Sequence, residues 1–597
     1  MTIPMAAVLV VLAAVTGCAS EKRDSHSAGT PARESGSTSG TGGDVARRVD
    51  DWFTDRAKEV GLDFVHFNGM SGKFYQPEIM GPGAALFDYD NDGDLDIFLV
   101  QGRMLGTAAP LIPLPGAQPP SDRLYRNDLI VNEDGTRLLR FTDVTARSGI
   151  TPRGHGMGVA AGDIDNDGWI DLYLTGFGRN QMFRNNGDGT FADVSKPSGT
   201  DDPRSWSVSA AFVDFDRDGW LDLFVGNYLN YSIETNTACS GVSGLPDYCR
   251  PSAYRAQPSH LYRNDGNGRF RDVTIAAGLA RRYGPALGVS TADFNGDGWI
   301  DIFVANDEQE NQLWINQQTG TFVNTALLAG AALGAFGEPK ANMGVDAGDF
   351  DADGDEDLFI TELVGQGSTL YVNDGTGVFE DQSTRAGVRH PSLPYTGFGV
   401  AWLDFDNDGW LDILAVNGHV NRDVAIASGA DDRFPLGQRN QLLRNVGARF
   451  EDVTERAGSA FDLVEVSRGA AFGDVDNDGD TDVLVANGAG PVRLLINNSD
   501  SRHHWLGLRL VGKHGRDMVG ARVRITRATG PVLWRRARTD GSYGSANDPR
   551  VLVGLGPSAD PPRIRVIWPG GQVEEWTTVS VDQYRTLQEG TGGTAPR

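Results

Sequence analysis

The sequence predicts an all-β protein: a seven-bladed β-propeller over residues 51–500, followed by a small all-β domain over 501–590. Three observations predict this. A short acidic pattern close to Asp-x-Asp-x-Asp-Gly-x-x-Asp starts at Asp88, Asp163, Asp214, Asp293, Asp349, Asp404 and Asp474. The loops are separated by 75, 51, 79, 56, 55 and 70 residues. Short apolar runs rich in β-branched and aromatic residues, such as 97–100 and 223–225, follow the loops and read as buried strands. A period this long with several strands per unit belongs to propellers or solenoids, and about four strands fit between successive loops.

Each acidic loop has the chemistry of a calcium site. Calcium takes six to eight oxygen ligands, and carboxylates at positions 1, 3, 5 and 9 supply them, with the backbone carbonyl of position 7. The sets are Asp88/Asp90/Asp92/Asp96, Asp163/Asp165/Asp167/Asp171, Asp214/Asp216/Asp218/Asp222 and Asp293/Asn295/Asp297/Asp301. The last three are Asp349/Asp351/Asp353/Asp357, Asp404/Asp406/Asp408/Asp412 and Asp474/Asp476/Asp478/Asp482. Asn295 still offers a carbonyl oxygen, with one charge fewer. An EF-hand begins in the same way but needs a bidentate Glu at position 12 and a helix after it. Position 12 here is Leu99, Leu174, Val225, Val304, Ile360, Ala415 or Val485, and strands follow. A metal-free Asp-Gly turn would leave four carboxylates repelling one another in each loop. Up to seven structural Ca²⁺ ions are therefore expected.

Two further motifs travel with the loops. Phe-x-Asp-Val-Thr-x-x-x-Gly occurs at 141–149, 270–278 and 450–458, with looser versions starting at Phe53, Phe191, Phe322 and Phe379. Each precedes a loop by 22 to 35 residues. Leu-Tyr-Arg-Asn, as at 124–127 and 261–264, follows the loops, and the seventh unit keeps only Leu494-Leu495-Ile496-Asn497. The Phe53 motif lies upstream of the first loop, so N- and C-terminal strands are expected to complete one blade and remove the open edges.

These loops and flanking motifs resemble the FG-GAP/VCBS repeats of integrin-type propellers. The C-terminal region resembles the ASPIC/UnbV domain through Gly515-Arg516-Asp517-Met518-Val519-Gly520-Ala521, Gly544-Ser545-Ala546-Asn547-Asp548, Gly554-Leu555-Gly556 and Val566-Ile567-Trp568-Pro569-Gly570-Gly571. The combination is similar to bacterial members of the cartilage acidic protein family. The resemblance implies calcium binding and extracytoplasmic recognition or adhesion, with an unidentified extracellular protein or glycan as partner. It also permits an alternative: an enzyme or accessory factor of natural-product biosynthesis acting in the propeller channel.

Charge and termini refine the expectation. The formal charge is −27, and the loop ligand positions alone hold 27 Asp. No basic stripe or nucleic-acid reader motif is present, so nucleic-acid binding is not expected. Residues 1–17 read as a lipoprotein signal peptide ending in Val15-Thr16-Gly17-Cys18, with Cys18 the lipidated residue. No Lys or Arg precedes the apolar run, a departure from the usual signal. Ala19 after the cysteine points to the outer membrane, facing either the periplasm or the cell surface. Residues 18–50 are rich in Ser, Gly and Thr and read as a disordered tether, and 591–597 as a disordered tail. Cys239 and Cys249 lie in a long insertion and are expected to pair in an oxidising compartment.

No nucleophile elbow, zinc-binding helix or phosphate loop stands out, so no catalytic residue is assigned. His155 and His419 read as hydrogen-bonded structural groups. Trp169, Trp220, Trp299 and Trp410 all occupy position 7 of their loops, and packing between blades is expected of them ahead of a glycan platform. Arg535, Arg536 and Arg538 form a basic patch, suited equally to docking on the acidic propeller and to a solvated face. Loops 102–121 and 231–258 are expected to carry partner specificity.

Overall fold

The computed structural model describes residues 51–116, 120–422, 436–499 and 502–594. The signal peptide, Cys18 and the whole tether lie outside the described residues.

Seven four-stranded antiparallel sheets form the propeller. The first blade runs Ala84–Phe87, Asp96–Leu99, Arg123–Asn127 and Phe141–Asp143, from the channel outward. The innermost strands of successive blades touch in order, and Ser467–Gly473 of the last blade touches Ala84–Phe87 of the first, closing the ring. Phe53–Asp55 supplies the outermost strand of the seventh blade, with Phe53 opposite Asn497. The Phe motif is therefore the outer strand of the blade before the loop it precedes. Apolar side chains of adjacent blades share small cores, such as Leu86, Ile97 and Tyr125 with Leu484 and Leu494.

The Gly that ends the Phe motif has a steric reason. Gly149 lies at φ 76°, and a Cβ there would stand 2.9 Å from the Phe191 carbonyl of the next outer strand. Gly458 repeats this against the Phe53 carbonyl at 2.6 Å, so the contact runs through the closure. Only glycine accepts both the backbone angle and the approach.

The C-terminal region builds two sheets around one core. His504–Val511 pairs antiparallel with Val551–Gly556 and parallel with Tyr584–Gln588. Arg522–Thr526 and Arg563–Ile567 lie at the centre of a five-stranded sheet. Val523 and Ile525 are buried while the alternate residues are partly exposed, as the alternating pattern requires. Gly593–Thr594 pairs with Val573–Trp576 as the edge strand of that sheet. The expected disordered tail therefore starts too early: residues 593 and 594 belong to the domain, held by two ladder pairs.

This domain does not stand apart. Its segment 540–548 enters the propeller channel and bonds to the innermost strand of every blade. Ala546 N donates to Ala84 O at 2.9 Å, and Val159 N to Gly544 O at 3.0 Å. Gly544 N donates to Ser209 Oγ, Thr291 N to Asp540 Oδ2 and Val345 N to Ser542 O. Val400 N donates to Ser542 Oγ, which in turn donates to Ala470 O. Tyr543 is fully buried, packs edge-on against Phe398 and donates its hydroxyl to Met80 O at 2.8 Å.

Candidate metal centres and the face that covers them

Each acidic loop joins the innermost strand of its blade to the second strand, so all seven open on one end of the ring. The loop conformation requires two left-handed residues. Position 6 is glycine throughout, at φ 87–104°. Position 4 is also left-handed, at Asn91, Asn166, Arg217, Gly296, Ala352, Asn407 and Asn477. Asparagine tolerates this angle, and it also ties neighbouring loops. Asn91 Nδ2 donates to Gly168 O at 2.9 Å, and Asn166 Nδ2 to Gly219 O at 3.0 Å. Sequence reasoning missed position 4; the recurring Asn was the signal.

Within each loop the carboxylates divide their work. The first Asp turns one oxygen to the position 6 amide, as Gly168 N to Asp163 Oδ2 at 2.8 Å. The last Asp is buried and in six loops accepts two backbone amides, whereas Asp357 accepts one and keeps Oδ2 unpartnered. Asp96 takes Tyr89 N through Oδ2 and Asn127 N through Oδ1, both at 2.8 Å. Asn127 ends the Leu-Tyr-Arg-Asn motif, and the corresponding Asn does the same in all seven blades. Its side chain then reaches the loop of the preceding blade: Asn185 Nδ2 to Tyr89 O and Asn127 Nδ2 to Val475 O, both at 2.8 Å. The third motif is thus the staple between loops.

Position 5 differs between loops: Asp218 and Asp353 lie within the close carboxylate sets of their loops, and Asp92 does not. Asp92 and Asp297 are exposed, whereas the first and last Asp of their loops are buried. Asp92 stands outside the close set of its loop, which is Asp88, Asp90 and Asp96. The reason is local. Asp92 Oδ1 accepts the Asp94 amide at 3.0 Å, and Asp297 Oδ1 accepts the Trp299 amide at 2.8 Å, so each side chain closes the turn at the loop rim. The second oxygen of Asp297 is also engaged, by Asn295 Nδ2 at 3.1 Å and Gln318 Nε2 at 3.2 Å.

Other carboxylate oxygens are left over. Every loop has at least one buried oxygen with no hydrogen-bond partner: Asp88 Oδ1, Asp165 Oδ1, Asp214 Oδ1, Asp293 Oδ1, Asp349 Oδ2, Asp404 Oδ1 and Asp476 Oδ1. Ligand atoms of Asp88, Asp90 and Asp96 lie within 4.8 Å of one another, as do those of Asp163/Asp165/Asp171, Asp214/Asp216/Asp218, Asp349/Asp351/Asp353 and Asp404/Asp406/Asp412. Burial and then neighbouring charge push these groups up. Asp163 rises to about 6, chiefly by burial, then by Asp167 and Asp165. Asp404 rises to about 8, by burial first and then Asp408. Unpaired buried carboxylates are costly without a cation, so the donor set fits a hard divalent ion.

The C-terminal domain covers this face with arginines. Arg509 lies 3.9 Å from Asp88, and Arg522 lies 3.4 Å from Asp293. Arg516 lowers both Asp163 and Asp214, Arg535 lowers both Asp349 and Asp404, and Arg550 lowers Asp474. Five arginines thus serve the first Asp of seven loops. Arg516, Arg522 and Arg535 also donate to position 6 carbonyls, those of Gly219, Gly354 and Gly409. The basic patch takes the docking alternative: Arg536 pairs with Glu356 at 3.0 Å and Arg538 bonds Asp346.

Two of the tryptophans depart from expectation. A Cβ on Gly187 would stand 2.9 Å from Trp169, and one on Gly266 would stand 3.6 Å from Trp220. These rings cover the turn after the third strand of their own blade. Trp299 alone of the three meets a neighbouring blade, beneath Arg217 at 4.2 Å. Trp169 and Trp220 thus lie against turns of their own blades, while Trp299 bears out the expected contact between blades.

Away from the loops, Cys239 and Cys249 are joined by a disulfide. His155 Nδ1 bonds to the Arg103 backbone, and burial lowers its pKa to about 4. His419 is buried and lowered to about 4 by burial and then Arg468. No helix among the described residues is long and apolar enough to cross a membrane.

Comparison with known proteins agrees with this architecture. The FG-GAP-like repeat model matches residues 88–174, 163–225, 244–304, 293–360 and 349–415, and four of these stretches run from one acidic loop through the next. The ASPIC and UnbV model matches 511–594, and so includes the edge strand. Human cartilage acidic protein 1 is 30% identical over 285 residues, which is 47% of this chain and 38% of that protein. The Xenopus tropicalis protein is 24% identical over 470 residues, 66% of this chain and 67% of that one. The chain thus spans about two fifths of the human relative's length. A lectin from Burkholderia pseudomallei has a TM-score of 0.40 at 12% identity, covering 71% of this chain and 97% of its own. The chain belongs to the FG-GAP-like repeat proteins, carries a C-terminal ASPIC and UnbV domain, and is similar to cartilage acidic protein 1.

Proposed function

We propose that the protein is a calcium-loaded, lipid-anchored recognition or adhesion module of the cell exterior, without enzymatic activity. The observation that carries the calcium reading is the buried carboxylate oxygen left without a partner in every loop. Positions 1, 3 and 9 would hold the ion from within, with the position 7 carbonyl, and position 5 would close the site from the rim. The ion would neutralise charge that the arginines only offset. Among the arginines, Arg535 acts on two loops at once, so the covering domain and the metals act on the same carboxylates. Calcium then fixes the loops, the loops fix the blades, and the rigid ring presents its longer loops to an extracellular protein or glycan.

The alternative of channel chemistry is disfavoured at the loop end, because segment 540–548 fills that part of the channel. Lipidation at Cys18 would place the module at the outer membrane, where several acyl chains give stable anchoring.

The test has two stages. Metal content and melting are measured on the mature chain before and after a calcium chelator. Bound calcium and a large chelator-induced drop in melting temperature are expected. Metal-free protein with an unchanged melting curve refutes the reading. The loaded protein is then offered glycans and cell-envelope extracts, where capture abolished by chelator supports recognition. Intact mass of the exported chain checks for a diacylglyceryl group on Cys18.

A further inference from the structure

The plugged channel leaves a cavity at its other end. The cavity has a volume of about 350 Å³ and is lined by residues that precede innermost strands or follow second strands. It therefore opens on the face away from the acidic loops. Ile79, Met80, Leu287, Met343 and Phe398 give it apolar walls. The disulfide-bonded insertion forms part of its rim through Val242, Tyr248 and Cys249. Tyr543 packs against Phe398 behind that wall, so the domain that seals the loop face also closes the floor.

The charges in this cavity are unbalanced. Asp307, Glu308 and Asp247 line it, and Arg250, which bonds Glu308, is the one cation among the described lining residues. Asp307 Oδ2 accepts the Tyr228 hydroxyl at 2.5 Å. Burial raises Asp307 to about 7, and Glu308 and Glu362 add to the shift. The nearby Arg468 does not line the cavity; it is spent on the carbonyls of Ile79, Gly418, Ser467 and His419. An apolar pocket of this size with one fixed carboxylate is the usual form of a small-molecule site. A carboxylate held in low dielectric favours a cationic partner over a neutral one.

We propose that this cavity binds a small organic cation, a protonated amine whose ammonium group pairs with Asp307 and whose hydrocarbon body lies against Met80, Leu287, Met343 and Phe398. The ring of Tyr228 adds an electron-rich face of the kind that cations prefer, while Arg468 stands over the Phe398 ring at 4.1 Å. The site stands apart from the metal loops.

The probes are phenethylammonium chloride and its neutral counterpart 2-phenylethanol, titrated calorimetrically into the full chain in excess calcium. The amine is expected to saturate one site and to bind about tenfold more tightly than the alcohol. Asp307→Asn keeps the hydroxyl acceptor and should reduce that ratio to about threefold or less at unchanged melting temperature. Leu287→Trp should fill the cavity and abolish binding of both probes, with calcium content as the check on folding. Equal affinities for the two probes overturn the proposal. So does absence of saturable amine binding up to about 10 mM. Amine preference that survives Asp307→Asn overturns it as well, since the cation then sits elsewhere.

Discussion

Asn264→Ala tests whether the third motif works as a staple between blades. Asn264 is fully buried. Its Nδ2 donates to Ile164 O of the neighbouring loop at 2.8 Å and to Leu221 O of its own loop at 3.0 Å. Its Oδ1 accepts Gly266 N at 3.0 Å. Alanine leaves three buried backbone groups unpaired, and at somewhat over 1 kcal/mol for each the loss is about 4 kcal/mol. A folded unit of this size has an unfolding entropy of roughly 1.1 kcal/mol/K, so the melting temperature should fall by about 3–4 °C. Asn186→Ala is the control. That side chain makes only exposed bonds, donating to Thr190 Oγ1 and accepting from Arg184 Nη2, and their loss should cost under about 0.5 kcal/mol. Asn264→Asp should be at least as harmful as alanine, because a carboxylate would face two carbonyls. Differential scanning calorimetry in excess calcium reads all three. Equal shifts for Asn264→Ala and Asn186→Ala, or a shift under about 1 °C for the former, would refute the staple.

Other predictions concern the arginines, the buried acids, the insertion and the plug. Arg535→Gln removes the cation shared by Asp349 and Asp404, so the gap in melting temperature between calcium-loaded and chelated protein should widen, and an unchanged gap refutes the shared role. Glu78 is buried and raised to about 7, chiefly by burial. Its folded pKa exceeds the unfolded one, so it favours folding below about 4.5 and loses that contribution, ~3 kcal/mol at most, as pH rises through about 7. Glu78→Gln should therefore flatten the fall of stability between about pH 5 and 8, measured by denaturant melts, and an unchanged slope refutes the assignment. Cys239→Ser opens a loop of 10 residues and should loosen the insertion by ~2–3 kcal/mol, seen as faster amide exchange over 239–249 and not elsewhere. Tyr543→Ala removes a fully buried ring from the channel and should cost ~3–5 kcal/mol, read by calorimetry.

The acidic loops and the Phe motif are legible in the sequence because they recur with fixed local spacing. The Phe53 strand is legible for the same reason: its motif has no earlier blade to join. The division of labour within the loops is less legible. Nothing local to Asp96 shows that its oxygens are taken by Tyr89 and Asn127 amides while Asp88 keeps one free. That depends on the third strand folding back beside the loop. Nor does the pattern separate Asp92 and Asp297, which stand exposed at the rim, from the buried acids two to four residues away. The seal of the channel is not legible at all. Gly544-Ser545-Ala546-Asn547-Asp548 reads as a small polar segment of a separate domain. Its composition makes sense only once seven inner strands surround it, because small residues alone fit where Gly83 and Gly158 backbones crowd Gly544. The placement of Trp169 and Trp220 misled because a repeated aromatic suggests a repeated interface, whereas each ring serves the turn of its own blade.

The closure of the ring sets an order of events during synthesis. The strand Phe53–Asp55 is among the first ordered segments made, yet its only ladder partner is Arg493–Asn497, more than 400 residues later. Segment 540–548, made later still, bonds to all seven inner strands. The earliest β-strand must therefore wait unpaired while six blades form, and the channel stays unfilled until the chain is nearly complete. Contacts of such long range are slow to form, and open strand edges are sites of wrong pairing. An outer strand of three residues limits that hazard, since so short an edge offers little to a stray neighbour. Among the described residues the propeller thus opens with a tab too short to pair on its own, and segment 540–548 is the piece that locks the ring.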